Sequence, residues 1–189
     1  MASLSAEAAR ALKRGPRGPL ARRPDAALPF LGDVARAGAP LLLDTCTYID
    51  QMQGKAPPAL EDLISIRTTN HSTVAAQELL HAVGALDPAD PRTRRAVATI
   101  ARVLDAVPPH RLFVPDRAVL CEAAICAGIL CRTQGLARDN RMAALHDCVL
   151  FLQAMKLGFT VVTRNIGDFD HLLQMRPEGR VLFYRVPGR

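Results

Sequence analysis

Four acidic residues, Asp44, Glu78, Asp147 and Asp168, stand where carboxylates need a reason to be. Asp147 is the plainest. A helix is expected from about Asn140 to Leu157, ended by Gly158. Stepping about 100° per residue puts Gln153, Lys156 and His146 on one side and Asp147 roughly opposite, amid Ala143, Leu150, Phe151 and Ala154. A carboxylate on an apolar face must be paired, neutralised or metal-bound; an ion pair with a buried Arg is the alternative the residues leave open. Glu78 falls at the edge of the apolar stripe of a helix over Val74–Val83, where a partly solvated surface Glu is the alternative. Asp44 follows the apolar run Leu41–Leu43, and Asp168 lies five residues beyond the run Phe159–Thr163. Either could instead cap the helix that follows it.

Several carboxylates with few His or Cys suit a hard, oxygen-loving cation such as Mg²⁺ or Mn²⁺. Such an ion polarises a phosphoryl oxygen and lowers the pKa of bound water. Without a cation, clustered acids repel one another, titrate upward and repel phosphate as well.

These side chains need a scaffold that gathers them. Short apolar runs at Leu41–Leu43, Arg111–Val114, Phe159–Thr163 and Val181–Tyr184 predict strands buried on both faces. Between them, helices are predicted over Thr45–Gln53, Leu60–Ile66, Val74–Val83 (capped by Ser72 or Thr73), from Asp90 to before Pro108, from Asp116 to about Cys131, over Asn140–Leu157, and briefly from Asp168 or Asp170. A polar loop is expected over Arg132–Arg138. Strands alternating with helices predict an α/β class: a three-layer α/β/α sandwich with a mainly parallel central sheet. In such folds ligands gather beyond the carboxyl ends of the strands, where Asp44 and Asp168 lie by sequence.

The 189 residues suit one domain, and 49% hydrophobic content excludes general disorder. No apolar run reaches the roughly 18–20 residues that span a bilayer, and residues 1–30 lack the apolar stretch of a secretory signal; a cytoplasmic protein is expected. The five cysteines form no C-x-x-C pair, and Cys121, Cys126 and Cys131 recur at a spacing of five, unlike common zinc sites. They read as reduced, mostly buried small hydrophobes. The net charge of +6 permits a polyanionic partner without requiring one. Residues 1–40 hold seven Arg or Lys against three Asp or Glu. With the punctuation RGPRGPLARRP, residues 1–38 read as a basic, flexible N-terminal extension, with a short helix near Ser5–Lys13. The domain proper is expected over 39–189.

The order of motifs resembles PIN-domain nucleases, most closely the VapC-like toxins of toxin–antitoxin pairs. A strand runs into Asp44-Thr45, Glu78 and Asp147 follow on separate helices, and Thr163-Arg164-Asn165 precedes Asp168-Phe169. The most specific stretch is HDCVLFLQAMKLGFTVVTRNIGDFD, residues 146–170, and the opening LLLDTCTYID also fits. The likeness spans about residues 40–185. It implies a PIN-like fold and Mg²⁺- or Mn²⁺-dependent endoribonuclease activity, with Asp44, Glu78, Asp147 and Asp168 as catalytic, metal-site residues. Thr163, Asn165 and Arg164 would face the substrate. The resemblance also implies an RNA substrate, a small antitoxin partner and a homodimer.

The chain departs from that pattern in its basic extension, for which an RNA-contacting arm is a further reading. It departs also in the long Gln51–Thr73 segment, which leaves Glu61, Asp62 and Glu122 as substitutes for Glu78. Arg138, Arg141 and Arg67 are further candidates for gripping phosphates. Two enzyme classes are disfavoured: haloacid-dehalogenase-like phosphatases need an Asp at position 46, which is Cys, and neither nucleotide-binding glycine motif is present. The non-enzymatic alternative is a PIN-like module that binds RNA or an antitoxin without cutting.

Overall fold

The computed structural model describes residues 9, 12–13, 15–32 and 38–186. Five strands form one parallel sheet: β1 (Leu41–Leu43), β2 (Thr69–Ser72), β3 (Leu112–Phe113), β4 (Thr160–Thr163) and β5 (Val181–Phe183), in the order β3-β2-β1-β4-β5. The registers Leu41↔Thr69, Leu41↔Thr160 and Val161↔Val181 align the strand ends. Among the described residues, seven α-helices connect the strands: α1 (Thr45–Met52), α2 (Pro58–Ile66), α3 (Thr73–Gly84), α4 (Thr93–Asp105), α5 (Arg117–Gln134), α6 (Arg141–Leu157) and α7 (Ile166–Met175).

Strand alternation divides the core in two. Leu42, Val161, Val181 and Phe183 face α5, α6 and α7, packing with Ala123, Cys148, Phe151 and Phe169. Leu41, Leu43, Val162 and Leu182 face the other way, against Tyr48, Leu60, Leu63 and Leu79 of α1, α2 and α3. Each buried Leu, Val or Phe contributes about 1.5–3 kcal/mol, so both helical layers are needed. This is the three-layer sandwich that the alternation predicts. Helix α4 lies outermost, with Ile100, Val103 and Leu104 only partly covered.

Strand β2 is absent from the sequence reading, because Thr-Asn-His-Ser carries no apolar signal. It forms because β1 and β3 flank it and because Asn70 and Ser72 point inward. Ser72 Oγ caps α3 by accepting from Val74 N and donates to Gln153 Oε1 at 2.6 Å, and Gln153 Nε2 donates to the Phe113 carbonyl at 3.1 Å. Gln153, expected on the polar side of its helix, is therefore fully buried, with partners for both ends of its amide.

The expectation of a flexible extension over residues 1–38 is corrected for residues 21–31. Leu28 joins the core, and Phe30 bridges to Phe183, with Leu31 N donating to the Phe183 carbonyl and Phe183 N to the Pro29 carbonyl, both at 2.8 Å. This covers the open edge of β5, which would otherwise present unpaired backbone. The short helix expected near Ser5–Lys13 lies mostly outside the described residues.

Gly158 ends α6 at φ +71°, a conformation that disfavours any Cβ. Gly158→Ala is expected to cost about 1 kcal/mol, lowering the melting temperature by roughly 2–4 °C, as read by thermal denaturation. Among the described residues no helix is long and apolar enough to cross a membrane.

Candidate functional site

The carboxyl end of the sheet gathers all four acids. Asp44 follows β1 and stands at the N-cap position of α1 without capping it. Its Oδ2 accepts instead from Thr163 Oγ1 at 2.5 Å, across β4, and from Cys46 Sγ at 2.9 Å. Asn165, not Asp168 or Asp170, caps α7. That frees the Asp168 carboxylate, which sits in the first turn. The side-chain amide of Asn165 donates to Asp168 Oδ2 at 2.9 Å and to Asp147 Oδ2 at 3.0 Å, bridging α6 and α7. Glu78 comes in from α3; its Oε1 pairs with His146 Nδ1 at 2.9 Å and its Oε2 accepts from Thr45 Oγ1. The plainer readings of these residues, helix caps and a surface Glu, do not describe their partners. Among the described residues no arginine pairs with Asp147.

The electrostatics tie the four together. The Asp147 carboxyl is pushed well above its usual range, first by burial and then by the charges of Asp44, Asp168 and Glu78. Asp44 is raised by burial and by Glu78, against the Cys46 and Thr163 hydrogen bonds. Burial pushes Glu78 up too, but His146 and Thr45 outweigh it and its pKa falls below the ordinary value. Burial and the Asp44 charge raise the Cys46 thiol, which stays protonated near neutral pH and donates.

The donor set is thus carboxylate oxygen, supported by the Asn165 amide and the Thr45 and Thr163 hydroxyls, with the Cys46 sulfur held as a thiol. That chemistry fits Mg²⁺ or Mn²⁺ better than a thiophilic ion. As placed, no three His, Cys, Asp or Glu side chains among the described residues form a ready-made ligand group. Asn165, Thr163 and Cys46 engage the Oδ2 atoms of Asp147, Asp168 and Asp44, and His146 and Thr45 engage both oxygens of Glu78.

The remaining candidates separate. Thr163 and Asn165 belong to the cluster; Arg164, between them, turns away. Its Nε lies 2.8 Å from Asp50 Oδ2, off the hydrogen-bond line, so the contact is one of charge with charge. Asp50 is buried and also accepts from Tyr184 Oη at 2.7 Å. Arg67 is buried and donates to the Ala39 carbonyl, so the expectation that it grips phosphate is corrected. Arg138 and Arg141 are exposed at the start of α6. Glu61 and Asp62 lie exposed on α2, and Glu122 pairs with Arg176. Cys46 and His146 escape sequence reasoning: one is read as a small hydrophobe, the other as a polar-face residue. Their only local signal is adjacency to Asp44 and Asp147.

No family model matches the chain, and no curated protein does. Solved structures do. VapBC from Salmonella typhimurium bound to DNA matches at 17% identity and TM-score 0.54, over 76% of this chain and 97% of that one. VapBC2 from Rickettsia felis, bound to a promoter DNA fragment, matches at 16% identity and TM-score 0.52, over 77% and 98%. VapBC-1 from nontypeable Haemophilus influenzae matches at 16% and 0.52, over 76% and 96%. These likenesses show a PIN-like α/β fold. Within that class, the structures it resembles come from VapBC complexes.

Proposed function

We propose that this chain is a metal-dependent endoribonuclease of the VapC-like toxin kind. The observation that carries the reading is the convergence of Asp44, Glu78, Asp147 and Asp168, from four separate segments, into one mutually repelling cluster at the carboxyl end of the sheet. Acids so placed lower the stability of the chain unless a cation uses them. Asp44, Asp147 and Asp168 would hold Mg²⁺ or Mn²⁺, with Glu78 beside them. When bound, the ion supplies Lewis-acid polarisation of a phosphoryl oxygen and a more acidic water.

The chain's own residues do the rest. Asn165 fixes Asp147 and Asp168 relative to each other, and Thr163 and Cys46 fix the rotamer of Asp44. One of the four carboxylates takes the proton from the attacking water. His146 and Thr45 keep Glu78 ionised at neutral pH. Arg138 and Arg141, exposed at the start of α6, would meet flanking phosphates. An RNA substrate, a small antitoxin partner, a second copy of the chain and a cytoplasmic location belong to the same reading.

The test is RNA cleavage by purified protein with Mn²⁺ or Mg²⁺. Cleavage that stops with EDTA and in Asp44→Asn is expected. Undiminished cleavage in either condition overturns the assignment. The engagement of the acids by protein donors favours a second reading, an RNA- or antitoxin-binding module without cleavage. Mn²⁺ titration separates the two: a competent site gains thermal stability from the ion, about 2.7 kcal/mol at a hundredfold excess over Kd, and a pure binder does not.

A further inference from the structure

We infer that residues 20–31 are a strap that positions Asp168, with Arg23 as its working residue. The inference rests on the proposed metal site, and its structural half can be tested without it. Asp170 is fully buried on α7. Its carboxylate accepts from Arg23 N at 2.7 Å, Arg23 Nε at 2.6 Å and Gln174 Nε2 at 3.1 Å. Gln174 Nε2 also donates to the Ala21 carbonyl at 3.0 Å, a second tie between strap and helix. Arg23 is the cation in contact with that buried charge.

Asp168 and Asp170 are two residues apart, roughly 200° around the helix. One carboxylate therefore faces the four-acid cluster and the other faces the strap. Asn165 holds the first side of α7 through Asp168, and Arg23 holds the second through Asp170. The strap is anchored at its far end by Leu28 in the core and Phe30 against Phe183. Removing the guanidinium leaves the buried Asp170 charge with only the Arg23 backbone N–H and Gln174 and no cation, and α7 relieves this by shifting or fraying toward water. Asp168, in the first turn, moves with it. Partners hydrogen-bonded directly to metal ligands typically set affinity by 10–100-fold; Arg23 acts one step further out, through Asp170 and α7, so the lower end of that range is expected.

The experiment uses full-length protein, with Arg23→Ala and Arg23→Gln as variants. Arg22→Ala is the charge-matched control, since Arg22 pairs with exposed Asp25 and not with α7. Mn²⁺ affinity is measured by calorimetry well below the melting transition, and amide exchange over residues 166–170 is followed in metal-free protein. Both Arg23 variants are expected to bind Mn²⁺ about tenfold more weakly and to exchange faster on α7, with α3 unchanged and Arg22→Ala like wild type. Unchanged Mn²⁺ affinity in the Arg23 variants overturns the inference. If wild type itself binds no Mn²⁺, the metal reading fails instead. Exchange then decides the strap: an increase confined to 166–170 supports it, and a uniform increase or none overturns it.

Discussion

Replacing Asp147 by Asn is expected to make the metal-free protein more stable while sharply lowering the proposed RNA cleavage. The substitution keeps the shape and a carbonyl oxygen, and it removes the charge that burial, Asp44, Asp168 and Glu78 all oppose. A gain of about 0.5–2 kcal/mol is expected, a rise in melting temperature of roughly 2–4 °C for each kcal/mol. RNA cleavage should fall on the order of 10²–10³-fold, as when a preorganised transition-state stabiliser is lost, and stabilisation by Mn²⁺ should vanish. The pH dependence follows from the sign of the shifts. Asp147 and Asp44 ionise higher in the folded chain than the ordinary value of 3.8. The folded state thus binds more protons, and the metal-free wild type loses stability as pH rises through the raised values. Asp147→Asn flattens that loss. Glu78 works the other way: its contribution is present above about 4.5 and is lost as pH falls through its lower folded value. Thermal scans of metal-free protein across pH read both effects. A destabilised Asp147→Asn would mean that the carboxylate is there to hold the fold.

Asp50→Ala is expected to be the most damaging change outside the core. It removes the partner of Arg164 and the acceptor for the Tyr184 hydroxyl, leaving a half-buried arginine, its Nε shielded from water, without its counter-charge. Breaking one side of a fully buried pair costs about 3–5 kcal/mol; with Arg164 partly open to water about 2–3 kcal/mol is expected, whereas Tyr184→Phe, which removes the hydroxyl that donates to Asp50 and lies 3.8 Å from Cys46 Sγ, should cost about 1 kcal/mol. Denaturant unfolding compares them. The joint replacement Asp50→Leu with Arg164→Met should recover most of the loss, since neither charge is then stranded. Equal costs for Asp50→Ala and Tyr184→Phe would show that the pair contributes nothing. Because Arg164 lies between Thr163 and Asn165, the same loss should loosen the turn that holds Asp44, Asp147 and Asp168.

Much of this was readable from the chain. Apolar runs gave four of the five strands, and the 3.6-residue period exposed Asp147 as misplaced. Strand ends marked Asp44 and Asp168, and the resemblance carried by the T-R-N turn marked Thr163 and Asn165. The misses share a cause. Thr69–Ser72 is a strand because of its neighbours, and Gln153 is buried because Ser72 and the Phe113 carbonyl reach it. Arg164 was expected at the substrate because nothing near it in sequence announces Asp50 as its partner. The basic extension looked like a free arm because its anchor, Asp170, lies 147 residues away.

By itself, then, the sequence determined the α/β class, most of the elements and the acids worth watching, since periodicity and strand-end placement are local and survive in one dimension. The tertiary structure decided which acids meet, what holds each one, that Glu78 and not Glu61, Asp62 or Glu122 joins them, and that Arg23 is bound to α7. Those outcomes depend on burial and on hydrogen-bond partners far apart in the chain. A carboxylate's energy is set by the charges and donors around it in space, and only the folded chain brings them together.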